Sequence, residues 1–224
     1  MAKINNVIPM NSAKHSSTSQ PLNTESDIAA YILAGGESRR FGGQTKGMQT
    51  FKGYPLIAHC IARLTSQVES ININTHLPDF SAFNYPIVGD DPDNLYQGPL
   101  SGLLASMQHF HEHYPEKNWL LLAPCDSPFA PKNFAHQLLS TAHSEQSLAA
   151  CISYQHALQP TFSIWHKSLL PSIKDAVHNK KWGGLKIFFQ HLGESGSVVE
   201  YPEQEKNPFL NINNKDELAQ AQLS

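Results

Sequence analysis

Two apolar runs that stop abruptly constrain this chain more than any other feature. "IAAYIL", Ile28 to Leu33, ends in the glycine-rich stretch "LAGGESRRFGGQTKG", Leu33 to Gly47, and "NWLLLAPCD" ends at Asp126. An apolar run that does not alternate suits a strand buried on both faces, as in a parallel sheet. "SININTHL", "AACISY" and "TFSIW" read as further strands, and "YPIVGDDPDN" as a short strand entering a polar loop. Helical spacing connects Ile57, Cys60, Ile61 and Leu64 behind Pro55, which suits a first helical turn, and then Leu100, Leu103, Leu104 and Met107. Pro131 opens another helix candidate through Leu139. Leu185, Phe188, Phe189 and Leu192 make a helical face, and Lys215 to Gln222 a last short helix. Strands alternating with helices predict an α/β fold with a mostly parallel sheet flanked by helices. Such sheets bind ligands beyond the carboxyl ends of their strands, where the loop after Leu33 and Asp126 both fall.

Composition narrows the class. With 224 residues, 40% hydrophobic and 16% charged, the chain reads as a soluble globular protein with ample core. Its net charge of −3 gives no general attraction to nucleic acid or an anionic membrane, so an anion site must be local. No apolar stretch approaches the roughly 18 residues of a membrane helix. Cys60, Cys125 and Cys151 are odd in number and form no CxxC, which argues against a disulfide framework or thiolate zinc site and fits a reducing cytoplasm. Residues 1–27, rich in Ser, Asn, Thr and Gln with no long apolar core, read as a disordered extension and not a signal peptide. Residues 28–224 then form a single domain.

The glycine stretch is neither a Walker A loop nor G-x-G-x-x-G, since Thr45 precedes Lys46 where the former needs glycine. Its chemistry still suits an anion: glycines let backbone N–H groups approach closely, Arg39 or Arg40 offers a forked donor, and Lys46 a mobile charge. A βα loop with solvated charges is the plain alternative.

The residues Leu33, Ala34, Gly35, Gly36, Ser38, Arg40, Gly42 and Lys46 resemble the L-A-G-G-x-S-x-R-M-G-x-x-D-K signature of the molybdenum cofactor guanylyltransferases. Phe41 replaces Met, and Thr45 stands where Asp is usual. "GPLSG" (Gly98 to Gly102), "APCDSPF" (Ala123 to Phe129), "QPTF" (Gln159 to Phe162) and "FLNINNKDEL" (Phe209 to Leu218) resemble later blocks of that family in the same order, so the resemblance spans nearly all of residues 28–222. It implies a Rossmann-like nucleotidyltransferase fold and Mg²⁺-dependent transfer of GMP from GTP to the terminal phosphate of molybdenum-molybdopterin. Product handover to molybdoenzymes or their chaperones is the partnership it implies.

By this resemblance Leu33, Ala34 and Gly35 line the guanine site, with Gly36 also on the nucleotide. Arg40, Lys46 and Asp126 carry catalysis, Lys46 on the phosphates and Asp126 as Mg²⁺ ligand. Asn74 and Asp90, or Asp91 beside the latter, contact the nucleotide. Gly98, Gly102, Asn211 and Asn213 fall to the pterin side, the two glycines bracketing a helix start where a side chain would obstruct.

Without the resemblance, Asp126 before Ser127 and Pro128 reads equally as a helix cap, Asn211 and Asn213 as one face of an exposed strand, and Asp90 and Asp91 as a polar turn. His109 and His113 have a metal-compatible i, i+4 spacing but no further ligand, so a solvated helix end is the better reading. Cytidylyl transfer to the same pterin and a non-catalytic nucleotide-binding escort compete. The first is disfavoured by Gly35-Gly36 after Ala34 and by "PCDSP", the second by Lys46 with Asp126.

Overall fold

The computed structural model describes residues 26–35, 45–89 and 98–223. Gly36, Arg40, Asp90 and Asp91, and all of the N-terminal extension but Ser26 and Asp27, lie outside the described residues.

In chain order, β1 (Ile28–Leu33) is followed by a 3-10 turn (Lys46–Met48) and the small hairpin of β2 (Thr50–Phe51) and β3 (Tyr54–Pro55). Then come α1 (Leu56–Leu64), β4 (Ser70–Asn74), a 3-10 segment (Pro78–Phe83), β5 (Ile87–Val88), α2 (Pro99–His113), β6 (Trp119–Pro124) and α3 (Phe134–Ser144). The rest is β7 (Ala149–Tyr154), β8 (Ala157–His166), α4 (Leu170–His178), α5 (Leu185–His191), β9 (Gly196–Tyr201) and α6 (Lys215–Leu223). Seven strands form one sheet in the order β5-β4-β1-β6-β8-β7-β9. Only β8 opposes its neighbours; β5, β4, β1 and β6 pair in parallel, as do β7 and β9.

The unbroken apolar runs are explained by where alternate side chains go. Ile28, Ala30 and Ile32 of β1 join Trp119, Leu121 and Ala123 of β6 in a core closed by α1 and α3. Ala29 and Tyr31, with Leu120 and Leu122, face a second core under α2, α4 and α5. Neither strand has a solvent side, so neither can alternate. The stripe read at Leu100, Leu103, Leu104 and Met107 lies in the second core, extended by Phe110. Burying one such leucine stabilises the fold by about 1.5–3 kcal/mol. β4 forms the strand read there, with Asn72 and Asn74 buried like Ile71 and Ile73. Asn72 satisfies its amide by donating to the Ala30 carbonyl and accepting from the Tyr114 hydroxyl.

Three boundaries also differ. Pro55 precedes α1, pairing with Thr50, and α3 begins at Phe134 rather than Pro131. The "NIN" segment belongs to no strand, for reasons given below. At the amino end, Asp27 is already part of the fold: its Oδ1 accepts from the Asn118 backbone and side-chain N–H groups, each at 2.9 Å.

The antiparallel β8 follows from its turn. Gln155 and His156 both take positive φ, +50° and +60°, so two residues reverse the chain and β8 returns beside β7. Parallel pairing would need a crossover, which α4 and α5 supply before β9. Pro160 lacks the N–H for a regular ladder and sits where the β7–β8 register shifts. Neither turn residue is glycine, and the left-handed region costs most side chains about 1–2 kcal/mol. Replacing the pair by Asn-Gly (Q155N/H156G) is expected to raise the unfolding free energy by about 1 kcal/mol, measured by urea denaturation; an unchanged or lower value would contradict this turn geometry.

Candidate active site

Three parallel strands end side by side. Leu33 pairs with Asn74 on one flank and Pro124 on the other, which brings Ala34, Thr75 and Cys125-Asp126 to one edge. The ladder continues one step: Ala34 N–H donates to the Asn74 carbonyl (2.8 Å), and Cys125 N–H to that of Leu33 (3.2 Å). Thr75, buried and not singled out in the sequence, donates its hydroxyl to the Ala34 carbonyl at 3.2 Å and so fixes where the glycine stretch departs. Asn74 is buried at the floor, its amide donating to the Val88 carbonyl at 3.2 Å. Gly35 follows at the rim beside His76.

Gly98, which caps α2, and Gly102 within it are both required for close approach, against different partners. A Cβ on Gly102 would lie 2.8 Å from Asn74 Oδ1 and 3.0 Å from Leu33 Cδ2. Gly98 has φ +63°, and a Cβ there would lie 2.9 Å from the Gly183 carbonyl oxygen. Gly102 therefore meets the nucleotide-side residues of the sequence reading, while Gly98 meets the turn before α5.

Lys46 occupies the centre. Its Nζ is ion-paired with Asp126 Oδ2 and donates to Asn213 Oδ1 at 2.6 Å. The side chains are 23% and 9% exposed, so the carboxylate is the more desolvated partner and depends more on the pair. The turn bearing Lys46 is clamped from both sides. A Cβ on Gly47 would come within 3.0 Å of the Phe80 ring and 3.2 Å of Cys125 Sγ, so glycine allows the turn to press on that wall. Thr45, standing where the family signature has aspartate, donates its hydroxyl to Asp79 Oδ2 at 2.8 Å. The neighbouring 3-10 segment thus anchors position 45 through a carboxylate.

The "NIN" segment docks on the end of β6. Ile212 N–H donates to the Asp126 carbonyl at 3.0 Å, and the Ser127 hydroxyl donates to Asn211 Oδ1. Ile212 is fully buried in a small core with Phe51, Leu56 and Ala221. The exposed-strand alternative fails because the segment pairs in no strand and the half-buried Asn211 and Asn213 bond Ser127 and Lys46. Asp126 is no helix cap either; Asn133 occupies the cap position of α3. A cavity of about 260 Å³ between α6 and residues 206–210 shares Glu217 with the segment that braces Asn213.

The three thiols stay protonated. Burial pushes Cys60 and Cys151 up to about 12, and burial with the Asp126 carboxylate raises Cys125 well above its ordinary value. A thiolate nucleophile beside Asp126 is thereby disfavoured. Across the sheet, His109 and His113 stack at 3.9 Å, and His109 Nδ1 meets the hydroxyl of buried Tyr31 at 2.9 Å. His111 bonds the Lys167 carbonyl instead. The helix end is thus only partly solvated: burial, with His113 adding to it, lowers the His109 pKa.

The family profile of the MobA-like NTP transferase domain matches residues 30–195. A molybdenum cofactor guanylyltransferase of Haemophilus influenzae (strain 86-028NP) is 34% identical over 194 residues, 85% of this chain and 95% of that protein. One from Cupriavidus metallidurans is 34% identical over 200 residues, covering 86% and 93%. Among solved structures, molybdopterin-guanine dinucleotide biosynthesis protein A from Archaeoglobus fulgidus superposes with a TM-score of 0.68 at 19% identity, covering 87% of this chain and 97% of that one. CMP:2-keto-3-deoxy-manno-octonic acid synthetase in complex with CTP gives 0.65 at 12%, covering 88% and 97%. At such identities the likeness is one of fold.

Unequal burial of the central pair predicts unequal penalties. K46A strands a nearly buried carboxylate and is expected to cost about 2–3 kcal/mol in urea denaturation, while D126A leaves a hydratable ammonium and costs about 1 kcal/mol; the reverse order would contradict the geometry. G102A is expected to cost about 1–3 kcal/mol through overpacking against Asn74 and Leu33, and a neutral variant would contradict that contact.

Proposed function

The chain belongs to the molybdenum cofactor guanylyltransferase family, and from that premise we propose that it transfers GMP from GTP to the terminal phosphate of molybdenum-molybdopterin, releasing pyrophosphate. The observation that carries this reading is the convergence of Lys46, Asp126 and Asn213 at the carboxyl edge of the parallel strands. A lysine ammonium paired with a carboxylate and directed by an amide oxygen suits a polyphosphate better than an acyl or glycosyl substrate.

The acceptor is a phosphate monoester, largely dianionic at neutral pH because its second pKa is about 6. Its oxygen attacks the α-phosphorus of GTP, a new P–O bond forms, and the bond to the β-phosphate bridge breaks, so pyrophosphate leaves with the electron pair. No protein base is needed, consistent with protonated thiols around Asp126. The barrier is repulsion among anions, which positioned charges lower. Lys46 gives its charge to phosphate oxygens as it leaves Asp126, with Asn213 Oδ1 still holding the ammonium. Leu33, Ala34 and Gly35 carry the base, with buried Asn74 beneath them, and Gly36, Arg40 and Asp90 complete the nucleotide side in this reading.

The residues present fit Mg²⁺. The Lys46 ammonium already stands as a cation on the Asp126 carboxylate. Among the described residues no group of three His, Cys, Asp or Glu side chains is placed to hold a metal. An ion bound through one carboxylate, with phosphates and water as its other ligands, is the usual arrangement for magnesium. When bound on Asp126 it supplies charge neutralisation across the phosphate oxygens. In this proposal Asn211 and Asn213 face the pterin, and the product passes to molybdoenzymes or their chaperones. Three free, buried cysteines suit a cytoplasmic setting, and among the described residues no helix is long and apolar enough to cross a membrane.

Purified protein with molybdenum-loaded pterin and Mg²⁺, given GTP or CTP, should release pyrophosphate and form dinucleotide with GTP alone. Product with CTP would overturn the base assignment, and nucleotide binding without product, with a competent acceptor, would favour an escort. D126N, folded by circular dichroism, is expected to lose on the order of a hundredfold in turnover. Wild-type rates in that variant would remove Asp126 from the chemistry.

A further inference from the structure

We infer that Glu217 is a positioning residue for Lys46, acting through Asn213 from the first turn of α6. The inference rests on the site reading above and adds a residue on which that site depends.

Asn213 is the acceptor that keeps the Lys46 ammonium directed, and its own placement has two sources. Its Nδ2 donates to the Asn211 carbonyl at 3.1 Å, which settles the amide orientation: the donor end is committed, so Oδ1 must face Lys46. Its backbone N–H donates to Glu217 Oε2 at 2.6 Å. The other carboxylate oxygen, Oε1, accepts from Asn214 Nδ2 at 2.7 Å, and the Glu217 N–H returns a bond to Asn214 Oδ1 at 2.9 Å. Asn214 and Glu217 thus form a reciprocal cap three residues apart, displaced so that the glutamate takes the backbone N–H of Asn213 rather than that of the capping residue. Both carboxylate oxygens are used locally, and the negative charge sits favourably at a helix N-terminus.

The helix bearing this cap adds little to the core. Only Ala221 of α6 is buried, with Leu218 packed alongside and Gln222 reaching the Thr50 carbonyl. A carboxylate so fully bonded, on a helix so lightly buried, matters chiefly for what it holds. Asp216, exposed in the same turn, carries the same charge with no bond to Asn213 among those described, and serves as the internal control.

The test is a double-mutant cycle on the full-length protein, read as kcat and as equilibrium affinity for GTP and for CTP with Mg²⁺. E217A is expected to lower kcat by on the order of tenfold to a hundredfold, as loss of an outer supporting partner does. D216A stays within about twofold of the wild type, and E217Q, whose amide oxygen can still accept, recovers part of the loss. On an N213A background, E217A adds less than about twofold, because the link it supports is already cut. Multiplying effects of E217A and N213A, or E217A matching D216A, would overturn the inference. If E217A does not fold, E217Q with N213A makes the same cycle. A wild-type protein that turns over no nucleotide sinks the proposed reaction alone, and the affinity cycle then decides the role of Glu217.

Discussion

The Lys46 ammonium is the point on which three separate parts of the chain agree. It meets a carboxylate at the end of β6 and an amide 167 residues away. The Asp126 carboxylate is nearly out of water, so it tolerates its burial only with a cation beside it. That requirement propagates outward: the lysine stays in place because Gly47 lets its turn lie on Phe80 and Cys125, and because Thr45 is bonded to Asp79. The "NIN" segment arrives with Ile212 buried and its backbone bonded to Asp126 itself. Charge, packing and backbone bonding all define one position for one nitrogen atom. In the proposed reaction an entering polyphosphate replaces an existing partner of this ammonium without calling up a side chain from solvent.

Much of the scaffold was legible because the rules that write it are local. β1 and β6 read as doubly covered strands, and the structure divides their alternate residues between two cores. The helical stripe of α2 follows from spacing alone. The β7–β8 reversal was not legible, because Gln155 and His156 carry no turn signature and adopt positive φ under the pull of the strands they join. The site divides in the same way. Lys46 and Asp126 were singled out by loop chemistry and by their place at strand ends, their roles and those of Asn211 and Asn213 came from the family resemblance, and spacing alone read the two asparagines as an exposed strand. Their actual partners, Ser127 and Lys46, are distant in sequence and invisible to periodicity. Thr75, Asp79 and Phe80 carry no motif at all. Asn214 and Glu217 did have one, the N-cap spacing before an apolar position, though its geometry reaches one residue further than the usual cap.

Rigidity is distributed unevenly, and the division follows burial. The floor of the site is made of strand ends with no exposed face, and the residues there, Ala34, Asn74 and Thr75, are fixed by ladder bonds. The lid side is made of short segments: a single 3-10 turn, an extended stretch and a helix with one buried residue. Local opening concentrates where few apolar contacts must be broken. The floor is thus the more rigid side of the site, and the short segments facing it the more easily opened.

The order in which the chain is made has a bearing on this site. Lys46 and Asp126 are both present once β6 has been synthesised, yet Asn213 belongs to a segment that follows β9, so a nascent chain holds the charge pair long before it holds the amide that directs it. Antiparallel β8 must also arrive before β6 has a neighbour on its second edge. Until residue 213 is made, Lys46 and Asp126 have no Asn213 oxygen beside them. The Lys46 site is therefore complete only once the last-made segment, "NIN" with α6, is in place against the strand ends.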